Sequence, residues 1–131
     1  MQLRSFASIF AFTILVGVAL IGCALATKAP PRADAGPDVT VHIGETVSYD
    51  GSSSVDLDGG KIVYYRWIVA SAPEGREEKI GRLLDEGEDA AVWSSDIPLA
   101  EQDVGEWVIE LKVTDDEGQS VIDDLTLTVV R

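Results

Sequence analysis

Two runs near the end of the chain alternate with a strict period of two. Trp107, Ile109, Leu111 and Val113 are separated by Val108, Glu110 and Lys112, and Leu125, Leu127 and Val129 by Thr126 and Thr128. That period sends successive side chains to opposite faces of a β-strand, so each run must bury one face and wet the other. Antiparallel sheets meet that demand. Val39, Val41 and Ile43 show the same period, as do Val47 and Tyr49 beyond a turn at Gly44. Residues Ile62 to Val69 are β-branched and aromatic, which also suits a strand. Turn-forming segments separate the runs: Asp50-Gly51-Ser52-Ser53-Ser54, Asp58-Gly59-Gly60 and Asp115-Asp116-Glu117-Gly118. The expectation is an all-β, antiparallel sandwich. Trp67 and Trp107 are expected in its core. Glu77 to Leu84 is ambiguous, Glu77 to Pro98 is expected to hold the middle strands and their connections, and Trp93 has no assigned place.

The start of the chain is different in kind. Arg4 is the one charge among the first 22 residues, and an apolar run from Phe6 to Ile21 ends at Gly22-Cys23. A positive start, an apolar stretch and a small residue before a cut site describe a secretory signal peptide. The run is short of the roughly 20 residues that span a bilayer, and no basic cluster follows it. Leu20-Ile21-Gly22-Cys23 resembles the bacterial lipobox, which implies cleavage after residue 22 and a covalent lipid on Cys23. Two or more acyl chains hold a protein at a membrane where one holds it only marginally. Cys23 is the chain's single cysteine, so the exported part folds without a disulfide. Residues 23–31, rich in Ala and Pro, form the lipidated tether; the eight from Ala24 to Pro31 reach about 25–30 Å when extended. Ala24 after the Cys favours the outer membrane if the host is Gram-negative.

The formal net charge is −13. Nucleic-acid phosphates need a basic face, so nucleic acid is excluded as a partner. An acidic surface suits solubility or cation binding.

Ala33-Asp34-Ala35-Gly36-Pro37-Asp38, then Asp50-Gly51-Ser52-Ser53-Ser54, then Asp56-Leu57-Asp58-Gly59-Gly60 resemble the opening of polycystic-kidney-disease (PKD) domains. Ile62, Tyr65 and Trp67 match that family's third strand, and Gly105-Glu106-Trp107 through Gly118 its penultimate strand and turn. The family commonly has Tyr where Trp107 stands, and Trp67 leads into Ile68-Val69-Ala70-Ser71-Ala72-Pro73 rather than the frequent Asp-Phe-Gly-Asp-Gly. The resemblance implies an Ig-like β-sandwich of the PKD type over residues 32–131, preceded by the signal peptide. It also implies a module for protein or carbohydrate contact. In some members, acids of the loop before the third strand and of the turn before the last share a Ca²⁺. Asp56, Asp58 and Asp115 occupy those positions, with Asp116 as a substitute. Such Asp-Gly sequences are equally ordinary in turns that bind no metal.

Catalytic chemistry finds little support. His42 is the one histidine, so zinc sites and Ser-His or Cys-His pairs lack their usual partners. An EF-hand beginning at Asp56 would need Glu at its twelfth position, where Trp67 stands. The acidic run Asp85-Glu86-Gly87-Glu88-Asp89 is expected to be a solvated loop tip, with a second ion site as its alternative. Strand parity turns Tyr64, Arg66 and Ile68 outward, together with Val108, Glu110 and Lys112 and with Thr126 and Thr128. If these strands are neighbours, one sheet face carries an interface centred on Tyr64, Arg66, Ile68, Val108 and Glu110; an ordinary exposed sheet looks the same. The expected role is a non-catalytic, lipid-anchored module of a bacterial envelope that contacts a protein or a polysaccharide. Its rivals are a calcium-dependent adhesion or sensing domain, and a carbohydrate-active or hydrolytic enzyme or accessory subunit of one.

Overall fold

The computed structural model describes residues 28–131. The leader expected over 1–22 and the lipidation site Cys23 lie outside them. Seven strands follow in order: β1 (Val39–His42), β2 (Ser48–Asp50), β3 (Ile62–Ser71), β4 (Leu83–Gly87), β5 (Val92–Ser94), β6 (Gly105–Asp115) and β7 (Ser120–Val130). Two single 3₁₀ turns, Glu77–Lys79 and Glu101–Asp103, interrupt the connections. Among the described residues no helix is long and apolar enough to cross a membrane.

The strands form a five-stranded sheet, ordered β1-β7-β6-β3-β4, and a two-stranded sheet, β2-β5. Between them lies the core that the alternation predicts. Tyr65, Trp67 and Val69 of β3, Trp107, Ile109, Leu111 and Val113 of β6, and Leu125, Leu127 and Val129 of β7 are all buried. Val47, Tyr49 and Ala90 close the core from the other side. The indole N–H of Trp67, itself fully buried, donates to the carbonyl oxygen of Ala90 at 2.8 Å. Trp93, unassigned from sequence, lies on β5 and stacks on Tyr49, with ring centroids 5.3 Å apart. The sandwich is therefore of the expected class.

Three local features differ from expectation. β1 pairs with β7 in parallel, Val39 opposite Leu127 and His42 opposite Val130, so the large sheet is mixed. A period of two records which face a residue takes and carries no information on strand direction. The acidic run is not wholly a loop tip: Asp85, Glu86 and Gly87 belong to β4 and pair with Trp67, Arg66 and Tyr65. β4 is an edge strand, where charges deter further strand addition. Of the expected tether, residues 28–31 are described, with Pro31 buried and Lys28 held to Glu117 by a 3.1 Å ion pair.

Candidate functional site

The outer face of the large sheet is built by parity and register. β3 pairs with β6 with Arg66 opposite Lys112 and Ile68 opposite Glu110. On the other side of β6, Lys112 faces Ile122, Glu110 faces Asp124 and Val108 faces Thr126. Tyr64, Arg66, Ile68, Val108 and Glu110 therefore share one surface, as expected. Tyr64, Ile68, Val108 and Glu110 are half-buried there, Arg66 is exposed, and Ile122 beside Lys112 is 61% exposed. The Tyr64 hydroxyl donates to Glu86, which lies 3.9 Å from Arg66. That bond raises the Tyr64 pKa above the usual phenol value, because ionisation would forfeit it. The face thus alternates half-buried apolar groups with charges of both signs.

The four expected cation ligands converge only in part. The carboxyl groups of Asp56 and Asp116 meet over Gly60, where a Cβ would lie 2.5 and 2.8 Å from the two Asp116 oxygens and would also strike Asp56 Oδ2. Asp56 Oδ2 is buried without a hydrogen-bond partner. The Asp116 pKa is raised, first by loss of solvation and then by the neighbouring Asp56 carboxyl. Two ionised carboxylates have no proton to share, so a proton or a cation would relieve both. Asp58 is exposed, and its backbone N–H donates to Asp56 Oδ1 at 2.9 Å. Asp115, 1% exposed, points inward at the end of β6. One of its oxygens accepts the N–H groups of Glu117 and Gln119, each at 2.9 Å, and the other has no partner. Asp115 therefore ties the β6–β7 turn together. Among the described residues no three His, Cys, Asp or Glu side chains are grouped as metal ligands. A hard-oxygen pair at Asp56 and Asp116 suits Ca²⁺ chemically, with the remaining ligands drawn from water.

Two features of the sandwich, one at each end, were not read from the sequence. The Lys28 ammonium, bound to Glu117, also feels Asp58 and Asp116, and its pKa is raised chiefly by the Glu117 bond. The chain thus enters the sandwich beside its acidic turns. At the opposite end, a cleft between the sheets is bordered by Arg76, Lys79 and Arg82. Three of ten cations within seven residues is a visible cluster, but nothing in the sequence ties it to an aromatic floor.

His42 is exposed and 3.7 Å from Glu45. The carboxyl groups of Asp56 and Asp116 crowd the same space over Gly60, closer together than the roughly 5–9.5 Å that separates the carboxyl groups of glycosidases.

Residues 35–129 match the family model described as K319L-like, PKD domain. Low-density lipoprotein receptor-related protein 11 of Homo sapiens is 30% identical over 120 residues, which take in 84% of this chain. The chain spans about a fifth (21%) of that curated relative. The solution structure of the PKD domain of the KIAA 1837 protein superposes with a TM-score of 0.55 at 24% identity, covering 80% of this chain and 91% of that one. A structure of promiscuous carbohydrate-binding modules of the β-sandwich superfamily gives a TM-score of 0.53 at 25% identity, covering 79% of this chain and 36% of that one.

Proposed function

The chain belongs to the K319L-like PKD domain family, and from that premise we propose that it is a non-catalytic contact module, displayed outside the cell, which binds a protein partner through the outer face of its five-stranded sheet. The observation that carries this is the shared surface of Tyr64, Ile68 and Val108, half-buried beside the exposed Ile122 and edged by Arg66, Glu86, Glu110 and Lys112. Apolar groups ringed by charges suit a protein interface. The likeness to carbohydrate-binding modules supports a sugar ligand less well at this surface. Sugar platforms are built from aromatic faces, and Tyr64 is the single aromatic residue among those named here. Anchorage through a lipid on Cys23 would keep the partner close to a bacterial membrane.

The test is a photo-crosslinking amino acid placed at Val108 and, as a control, at the exposed Ile97 of the β5–β6 connection, in intact cells. A discrete protein adduct from Val108 alone supports the reading. Recovery of polysaccharide instead, or equal adducts from both positions, overturns it.

A second reading, calcium binding at the acidic pole, rests on the buried, unpaired Asp56 Oδ2 beside Asp116. Asp56 and Asp116 would hold the ion, which would supply positive charge between them and stiffen the two loops. Millimolar Ca²⁺ should raise the melting temperature of the chain, and Asp56→Asn should abolish the rise. No shift in the unmodified chain removes the reading.

A further inference from the structure

β2 and β5 are three residues each, against eleven for β6 and β7. So short a sheet cannot roof the whole inner face of the long strands. Over the first part of β6 the roof consists of two loops, 72–82 and 95–104, and beneath them lies a cleft of about 140 Å³. Its floor is aromatic and aliphatic, with Trp107, Ile109 and Leu127 of the large sheet facing Tyr49 and Trp93 of the small one. A dry cavity of about 150 Å³ admits a benzene ring, so this one has room for a single ring.

The lips are cationic. Arg76 lies 5.6 Å over the Trp107 ring and joins the two loops, bonding the Gln102 carbonyl at 2.6 Å and Asp103 at 3.1 Å. Glu78 takes its remaining charge at 3.1 Å. Lys79 and Arg82 border the same cleft and make no ion pair among the described residues. On a chain of net charge −13, two unpaired cations at the mouth of an apolar cleft favour one class of guest. The ring must be apolar, because a polyhydroxylated one would bury hydroxyl groups against a floor with few hydrogen-bonding partners, at a cost of about 1–3 kcal/mol each. The guest must also carry an anion within reach of the lip.

We propose that this interlayer cleft is a binding site for a small aromatic carboxylate, its ring between Trp93 and Trp107 and its carboxylate on Lys79 and Arg82. The site is separate from the outer sheet face and stands or falls without it. It also lies far from the chain's point of entry. Trp107 is near the start of β6 and Lys28 contacts the turn after its end, about 25 Å away at roughly 3.4 Å per residue.

The experiment is a titration of the full chain with 3-phenylpropionate, followed by the indole N–H resonances of its three tryptophans. Those of Trp93 and Trp107 should shift saturably while that of Trp67, sealed in the core, stays still. The uncharged 3-phenylpropanamide, and the double variant Lys79→Gln/Arg82→Gln with the acid, should each bind about tenfold more weakly. Absence of a saturable shift by about 20 mM overturns the site. Equal affinity for acid and amide, undiminished in the double variant, overturns its selectivity for an anion. Lys79, half-buried in its 3₁₀ turn, and the exposed Arg82 both stand outside the core cluster, and an unchanged Trp67 resonance in the variant verifies that the core is intact.

Discussion

The indole nitrogen of Trp67 and the backbone carbonyl of Ala90 stand 2.8 Å apart, and their hydrogen bond joins the middle of β3 to the residues that lead into β5. One side chain thereby couples the large sheet to the small one. Trp67→Phe keeps an aromatic ring but leaves a buried carbonyl without a donor, so it should lower stability by about 1–3 kcal/mol. Chemical denaturation measures it. Ile122→Thr, on the exposed face, should stay within about 0.5 kcal/mol; a Trp67→Phe loss no larger than that would refute the coupling.

Gly51 sits against the same contact. A Cβ there would lie 2.6 Å from Leu111 Cδ2 and 3.0 Å from Trp67 Cζ2. Gly51→Ala should therefore cost about 1–3 kcal/mol by overpacking. Combined with Leu111→Ala the penalty should shrink, since the methyl then has room. Strict additivity of the two losses would show that the crowding lies elsewhere.

At the acidic pole, Gly60→Ala would insert a methyl group between the carboxyl groups of Asp56 and Asp116. Gly60 is exposed, and the substitution should abolish a Ca²⁺-induced rise in melting temperature. An undiminished rise would place the ion elsewhere.

Asp116 gives the pole a pH signature. Its pKa is raised in the folded chain by desolvation and by Asp56, so the folded state binds that proton more tightly than the unfolded state does. Its stabilising contribution is present below the ordinary carboxylate value of 3.8 and is lost as pH rises through the raised value. In chelator at neutral pH, Asp116→Asn should therefore raise the melting temperature, and the advantage should fade on acidification. A variant no more stable than the parent at neutral pH would contradict the strain assigned to the pair.

The lipid anchor has its own test. The mature protein should begin at an acylated Cys23 by mass spectrometry, and Cys23→Ser should give an uncleaved or unanchored product. A native chain beginning at Met1 would refute the leader.

The long strands were legible because Trp107 to Val113 and Leu125 to Val129 write their facing directly into the order of residues. That parity also located Tyr64, Ile68 and Val108 on the outer face. What escaped was set by partners remote in sequence. Trp93 finds its place only against Tyr49, and Lys28 only against Glu117. Asp115 looked like a surface ligand because turn composition does not reveal that the last inward position of β6 falls on it. Arg76, Lys79 and Arg82 acquire meaning only once Trp107 is known to lie beneath their loop.

The parallel pairing of β1 with β7 has a mechanical side. The chain comes in at the acidic pole and runs along β1, while β7 runs the same way towards Arg131 at the other pole. Traction applied to the incoming segment and to Arg131 would draw these neighbours in opposite senses along their common axis. Their ladder of hydrogen bonds would then be loaded in shear, all rungs together, instead of peeling open one rung at a time. A domain loaded in this way would yield late and abruptly, with its resistance governed by the unfolding rate.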